Sequence, residues 1–353
     1  MGVERSDRGP VAPSAASRIA KRRGGLLFFL ATSLDATMDT YMRRWARKLV
    51  VVLATGYILF FYSERMFWSF LRPGDTLTDL LLTWVVYSLL AWVFLLLVRQ
   101  CRIAAFSALF LAGAVFGWLA EGVIVDTMYG NADNPFPASV SFTGLAWHAL
   151  ISVGVGWYWQ ARVLTTGNLK KIGLFSVAVG LGWGLWAGWW PAELGKANTS
   201  LAGFAGHTVA GFIPLFVAWL ALGMAGSEWF RPAKLELPVL LGLAALFFVG
   251  VRVPASPRSA LILPPLLLAC AYGLRRNQSQ QQRPDLLEAV VGHIRPRSCL
   301  PLLLMPLTAI IVYAPVAAWG VTLPTNWGLY VITMPLGFFF LFRSLWVLHR
   351  VKR

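Results

Sequence analysis

Three ionisable residues stand inside long apolar stretches of the sequence: Glu121, His148 and His207. A carboxyl group and two imidazole groups can act as a general acid and base, relay protons, or bind a divalent metal ion. Two histidines on facing helices can also hold a b-type haem. Because ionisable groups are costly in hydrocarbon, each of the three is a candidate catalytic or ligand-binding residue.

The composition indicates that the apolar stretches cross a membrane. Of the 353 residues, 58% are hydrophobic and 13% are charged, whereas soluble domains carry about 25% charged residues. So few charges cannot cover the surface of a soluble protein, which excludes a soluble enzyme and a disordered chain. The sequence therefore predicts an all-α, polytopic bundle of membrane helices. We expect it in the cell (inner or cytoplasmic) membrane.

Ten segments are candidates for membrane spans of roughly 20 residues each. They are residues 49–63, 77–98, 103–125, 140–161, 172–190, 203–224, 237–253, 259–274, 299–320 and 327–347. Most Lys and Arg residues fall in alternate loops, as expected of loops on the cytoplasmic side. We therefore predict ten transmembrane helices with both termini in the cytoplasm.

The net charge of +16 follows from these basic loops. Such loops attract anionic lipid, so membrane lipids are the expected partners and nucleic acid is not. Cys101, Cys270 and Cys299 have no metal-ligand spacing, and we expect them to be free thiols.

The predicted spans divide the chain into four regions. These are a basic cytoplasmic segment with an interfacial helix (1–48), a core of eight spans (49–274), a polar and basic cytoplasmic linker (275–298), and two C-terminal spans with a basic tail (299–353). Residues 24–34 are also compatible with an extra span or a signal sequence, because a short apolar run there follows basic residues.

With this orientation, the three candidate residues lie at similar depth in the outer half of the bilayer. His148 is about eight residues into its span, or about 12 Å at the rise of an α-helix, and the other two are also near the outer ends of theirs. Other charged residues form an outer-face polar rim: Asp126, Glu193, Glu64 and Arg65. We therefore predict one polar pocket that contains Glu121, His148 and His207.

A local repeat supports this pairing of histidines. Residues 144–148 and 203–207 share the pattern G-x-A-x-H, and each follows a helix that holds a Gly-Trp pair. The repeat predicts tandem helix hairpins, spans 3–4 and 5–6, related by an axis along the membrane normal. When the Gly-Trp pairs are aligned, Trp186 takes the place of Glu121.

Three functions are compatible with these residues. The first is an intramembrane enzyme on a lipid or polyprenyl substrate, in which Glu121 is the general acid or base and the histidines relay protons or join it in binding a divalent metal. The second is a membrane transporter, which ten helices permit. The third is a haem- or metal-binding subunit with His148 and His207 as ligands.

Overall fold

The computed structural model describes residues 41–68, 70, 75–189, 197–278 and 284–350. In these ranges the chain forms helices and no strand, as predicted for an all-α protein. The long helices are α1 (Tyr41–Trp68), α2 (Leu77–Gln100), α3 (Phe106–Ile124), α4 (Val140–Thr165), α5 (Leu169–Trp186), α6 (Leu201–Met224), α7 (Glu236–Ala255), α8 (Ser259–Gln278), α9 (Pro296–Trp319) and α10 (Thr325–Arg350). A short helix, Leu286–Val290, lies between α8 and α9.

Each of the ten predicted segments falls on one of these helices. Eight helices, all except α5 and α8, are long and apolar enough to cross a membrane. The α5 and α8 helices have 18 and 20 residues, and each carries two consecutive basic residues that make it less apolar. The chain is therefore a multi-pass integral membrane protein. The number of ten spans, the side of the termini and the identity of the membrane stay predictions.

Several predicted features lie outside the described residues. They are Glu193 of the polar rim, residues 24–34, and the central part of the linker. By its internal contacts the chain divides into two units, Met1–Arg47 and Lys48–Arg353. In the first unit, the described residues 41–47 are helical. The candidate residues discussed below belong to the second.

Capping side chains mark where three of the helices begin. Thr76 and Asp79 form a reciprocal capping box at the start of α2. The side chains of Asn168 and Ser200 accept backbone N–H groups at the starts of α5 and α6. Each satisfies a donor that the first helical turn leaves unpaired. The cap at Ser200 therefore places His207 in the second turn of α6.

The two predicted hairpins pack differently. The α3 and α4 helices pack closely against each other, whereas α5 packs chiefly against α9, which also contacts α6. Small residues permit both close approaches. A Cβ atom on Gly117 would collide with the backbone oxygen of Gly144, and one on Gly184 would collide with that of Ala309. The proposed tandem repeat stays a prediction.

Candidate functional site

Unusual backbone occurs at three of the candidate residues, whereas His207 lies in a regular α-helix. The segments Phe61–Arg65, Ala120–Ile124 and Val140–Trp159 are π-helical, and they contain Glu64, Glu121 and His148 respectively. Because π-helical turns are rare and recur at functional sites, this coincidence supports a functional reading of the three segments.

His148 lies at the centre of a hydrogen-bonded chain formed by three helices. Its Nε2 atom is 2.6 Å from Oε1 of Glu121 on α3, and its Nδ1 atom is 2.9 Å from Oγ of Ser63 on α1. The Ser63 hydroxyl is also 2.8 Å from Oγ of Ser152, one turn further along α4. The chain Glu121–His148–Ser63–Ser152 therefore links α1, α3 and α4.

This chain can hold its protons in more than one arrangement. If Glu121 is a carboxylate and His148 is neutral, Nε2–H donates to Glu121 and the Ser63 hydroxyl donates to Nδ1. If His148 is protonated, Nδ1–H donates to Ser63, which donates to Ser152, which donates to the Trp147 carbonyl oxygen 3.1 Å away. Both arrangements keep the three hydrogen bonds of the chain, but in the first the Ser152 hydroxyl donates to Ser63 and no longer to the Trp147 carbonyl oxygen.

A second carboxyl group, that of Glu64, lies beside the first. Its two oxygens accept hydrogen bonds from Tyr87, at 2.9 Å, and from Trp68, at 3.0 Å. It interacts electrostatically with both Glu121 and His148. The ring of Tyr87 also approaches the His148 ring, with 6.2 Å between centroids. Tyr87 therefore contacts both Glu64 and His148.

The loop after α3 holds Glu121 from the other side. The Thr127 hydroxyl donates to the Glu121 carboxylate. The Tyr129 hydroxyl donates to the Gly122 carbonyl oxygen at 2.6 Å. Burial raises the pKa of Tyr129 to about 12, so this donor keeps its proton at physiological pH. Thr127 and Tyr129 therefore fix the turn in which Glu121 lies.

His207 has different neighbours. Its Nε2–H donates to the backbone oxygen of Arg65 at 2.9 Å. Its Nδ1 atom lies 3.3 Å from Nη2 of the same arginine, whose guanidinium can only donate. This pairing requires an unprotonated Nδ1, and therefore a neutral histidine.

The sequence-predicted residues thus fall into three places. Glu121 and His148 are in direct contact, with Glu64 beside them, and His207 contacts Arg65. The π-helical turn Phe61–Arg65 joins the two groups, because Ser63 bonds His148 and Arg65 bonds His207. Asp126 of the rim is exposed and pairs with Arg252 at 3.3 Å.

No protein-family model, curated protein or solved structure matches the chain. The chemistry of the site is therefore argued from its own residues. A carboxyl group bonded to an imidazole ring is suited to general acid–base catalysis and to proton relay.

The described residues do not fit the predicted metal or haem site. Within the described ranges, no group of three His, Cys, Asp or Glu side chains is placed to hold a metal ion. Both ring nitrogens of His148 bond protein groups, and so do both nitrogens of His207. A divalent metal or haem iron needs a free nitrogen lone pair from each histidine. Glu121 and His148 are in contact, whereas both ring nitrogens of His207 bond Arg65, because helix rise fixes depth but not the direction of a side chain.

Aromatic side chains pack beside Glu64. Phe67 contacts the rings of Trp147, Trp186 and Trp189, with centroid distances of 4.8 to 5.5 Å. The Phe67 carbonyl oxygen accepts from the indole N–H groups of Trp186, at 2.8 Å, and Trp189, at 3.1 Å. Trp147 donates to the Ser63 carbonyl oxygen at 2.8 Å. These hydrogen bonds satisfy the carbonyl oxygens of Ser63 and Phe67 and connect α1 to α4 and α5.

Sequence reasoning missed Ser63, Ser152 and Tyr87. Hydroxyl groups are common in membrane helices, where they bond backbone carbonyl groups. Their presence in a span therefore does not by itself indicate a functional site. Only their contacts with His148 and Glu64 distinguish these three. The one usable signal was the proximity of Ser63 to Glu64 and Arg65, two charged residues at the end of an apolar run.

Proposed function

We propose that the protein is an intramembrane enzyme that uses Glu121 as a general acid and base on a lipid or polyprenyl substrate in the outer half of the bilayer. The hydrogen-bonded chain Glu121–His148–Ser63 carries this proposal. The Glu121 side chain is 13% exposed, whereas that of His148 is 2% exposed and Ser63 is 3% exposed. A substrate can therefore reach Glu121, with the other two residues behind it.

His148 is the positioning and proton-relay residue in this proposal. When Glu121 donates a proton to the substrate, the carboxylate that remains accepts hydrogen bonds from His148 and from Thr127. When Glu121 takes a proton from the substrate and His148 is the neutral Nδ1–H tautomer, whose Nδ1–H donates to Ser63, the proton can pass along the 2.6 Å hydrogen bond to the unprotonated Nε2. Such positioned acids and bases contribute about 10²–10⁴-fold to a rate.

Burial argues against Ser63 as a nucleophile. A serine bonded to a histidine that a carboxylate orients is the usual arrangement for covalent catalysis. Here the Ser63 hydroxyl lies behind His148 and is also bonded to Ser152. We therefore assign Ser63 to holding the imidazole ring, which its hydrogen bond to Nδ1 accomplishes.

The substrate class follows from the position of Glu121. It lies near the end of a 19-residue apolar helix, where an apolar chain can approach from the bilayer and a polar group can remain near the interface. A lipid or polyprenyl compound has both parts. The Glu64 carboxyl, held by Tyr87 and Trp68, adds a second acidic group close to the same position.

The test compares lipids from cells that produce the wild type, Glu121→Gln or His148→Gln at equal levels. Glu288→Gln is the matched control, because Glu288 is exposed and pairs with Arg99 away from the site. We expect mass spectrometry to find lipid products that depend on the wild type and the control variant and that are lost in the other two. Identical lipid profiles for wild type and Glu121→Gln would contradict the proposal.

A further inference from the structure

Arg65 is a buried cation near the end of a membrane helix. It is 7% exposed and lies three residues before the end of α1. Burying a guanidinium in apolar surroundings is costly unless a counter-charge accompanies it. The neighbours of Arg65 therefore bear on its function.

No ion pair neutralises Arg65 in the described part of the chain. Its guanidinium contacts the neutral His207 at 3.3 Å. Asp75 interacts with it electrostatically without forming an ion pair. The Tyr57 hydroxyl donates to the Gly211 carbonyl oxygen at 2.8 Å, so its proton is directed away from Arg65.

The other two buried cations of the described chain, Lys48 and Arg252, have carboxylate partners, and so does the half-buried Arg99. Lys48 pairs with Glu236, Arg99 pairs with Asp285 at 3.0 Å, and Arg252 pairs with Asp126 at 3.3 Å. Arg65 thus differs from cations whose role is to tie helices together. A buried guanidinium that forms no ion pair among the described residues is the expected state of a binding site whose ligand supplies the negative charge.

We infer that Arg65, supported by His207, binds the phosphate group of the lipid substrate. A guanidinium presents five N–H donors in a planar fork that matches two oxygens of a phosphate. His207 holds this fork in place through its bonds to the side chain and backbone of Arg65. The position near the end of α1 suits a phosphate at head-group level.

This inference rests on the proposed function and completes it. The turn that carries Arg65 also carries Ser63, which bonds His148. One segment of α1 therefore connects the phosphate site to the proton chain. Binding at Arg65 would hold the head group while the adjoining part of the lipid meets Glu121.

The experiment measures binding of dodecyl phosphate to the purified full-length protein in a non-ionic detergent, by isothermal calorimetry. Dodecanol is the uncharged probe, and inorganic phosphate is the probe without a chain. Arg65→Met removes the fork, and Arg258→Gln is the matched control, because Arg258 is exposed and bonds the Gly130 carbonyl oxygen. We expect dodecyl phosphate to bind at least about tenfold more weakly to Arg65→Met, because a charged hydrogen-bond partner is lost, and unchanged binding to the control.

The other two probes show whether the site binds a lipid head group or free phosphate. Weaker binding of inorganic phosphate than of dodecyl phosphate supports a lipid head group. Equal binding of the two, still dependent on Arg65, supports the phosphate site but overturns its assignment to a lipid. Equal binding of dodecyl phosphate to wild type and Arg65→Met overturns the inference, and so does equal binding of dodecanol and dodecyl phosphate to the wild type.

Two further variants keep the test decisive. Should Arg65→Met fail to fold, Arg65→Lys keeps the charge but loses the fork, and it should bind dodecyl phosphate more weakly than the wild type. Unchanged affinity in a folded Arg65→Lys, with no shift of the His207 ¹⁵N signals on adding dodecyl phosphate to the wild type, overturns the inference. Glu121→Gln should keep its affinity while losing lipid products, so failure of the binding site and failure of the proposed catalysis are distinguishable.

Discussion

The two G-x-A-x-H segments share a sequence pattern, but their histidines have different hydrogen-bond partners. His148 bonds a carboxylate and a hydroxyl, whereas His207 bonds an arginine through both ring nitrogens. The first environment pairs the ring with an acidic group, and the hydrogen bonds of the second require a neutral ring. A short sequence pattern therefore places a histidine at a given depth, and the neighbouring helices decide its function.

Neighbouring residues explain the difference. Gly117 lets α3 approach α4 so closely that an added Cβ would collide with the His148 side chain, and this approach brings Glu121 within 2.6 Å of the ring. The equivalent Gly182 has open space around it. Trp186, which takes the place of Glu121, donates to the Phe67 carbonyl oxygen instead. His207 consequently has no carboxylate from α5.

The largest expected effect concerns the two histidines themselves. His148→Gln should lower formation of the lipid product by about 10²–10⁴-fold, because it removes the proton relay behind Glu121. His207→Gln should weaken substrate binding, and high substrate levels should restore most of its activity. The measurement is the rate of product formation against substrate concentration. Equal losses in maximal rate for both variants would remove the functional distinction between the two sites.

Gly117 and Gly182 provide a second comparison, in which we expect a smaller effect and only on stability. Gly117→Ala should destabilise the protein by about 1–3 kcal/mol, because the added methyl overpacks the contact between α3 and α4. Gly182→Ala should leave stability unchanged or raise it by up to about 1 kcal/mol through helix propensity. Thermal unfolding in mild detergent measures both. A Gly182→Ala variant as unstable as Gly117→Ala would show that α3 and α5 are packed alike.

We expect the smallest effect, again on stability, from a substitution of Asp126 in the outer-face polar rim. Asp126→Asn should change stability by only about 0.2–1 kcal/mol, since exposed ion pairs are screened by solvent. The Asp126 side chain is 61% exposed, and Arg252 keeps its bonds to the carbonyl oxygens of Val123 and Ile124. A loss above about 2 kcal/mol, measured by the same unfolding assay, would place Asp126 among the buried interactions.

Hydropathy predicted the helices well because a membrane span needs a continuous apolar run, which can be read without knowing its neighbours. The same reasoning placed Glu121 and His148 at a common depth, and they are in contact. It could not separate His207 from them, because the direction of a side chain depends on helix rotation and packing. Ser63 was missed for a related reason: a lone serine is ordinary in a span until its partner is known.

The most direct test is ¹⁵N NMR of the purified protein labelled at histidine, with the His148 signals assigned by their loss in His148→Gln. We expect Glu121→Gln and Ser63→Ala each to shift the His148 nitrogen signals, because the first replaces a carboxylate partner of the ring with a neutral amide and the second removes one hydrogen bond of the ring. We also expect both variants to leave the His207 signals unchanged and Glu288→Gln to affect neither histidine. His148 signals that are the same in wild type and Glu121→Gln would contradict the chain Glu121–His148–Ser63, and with it the proposed catalytic site.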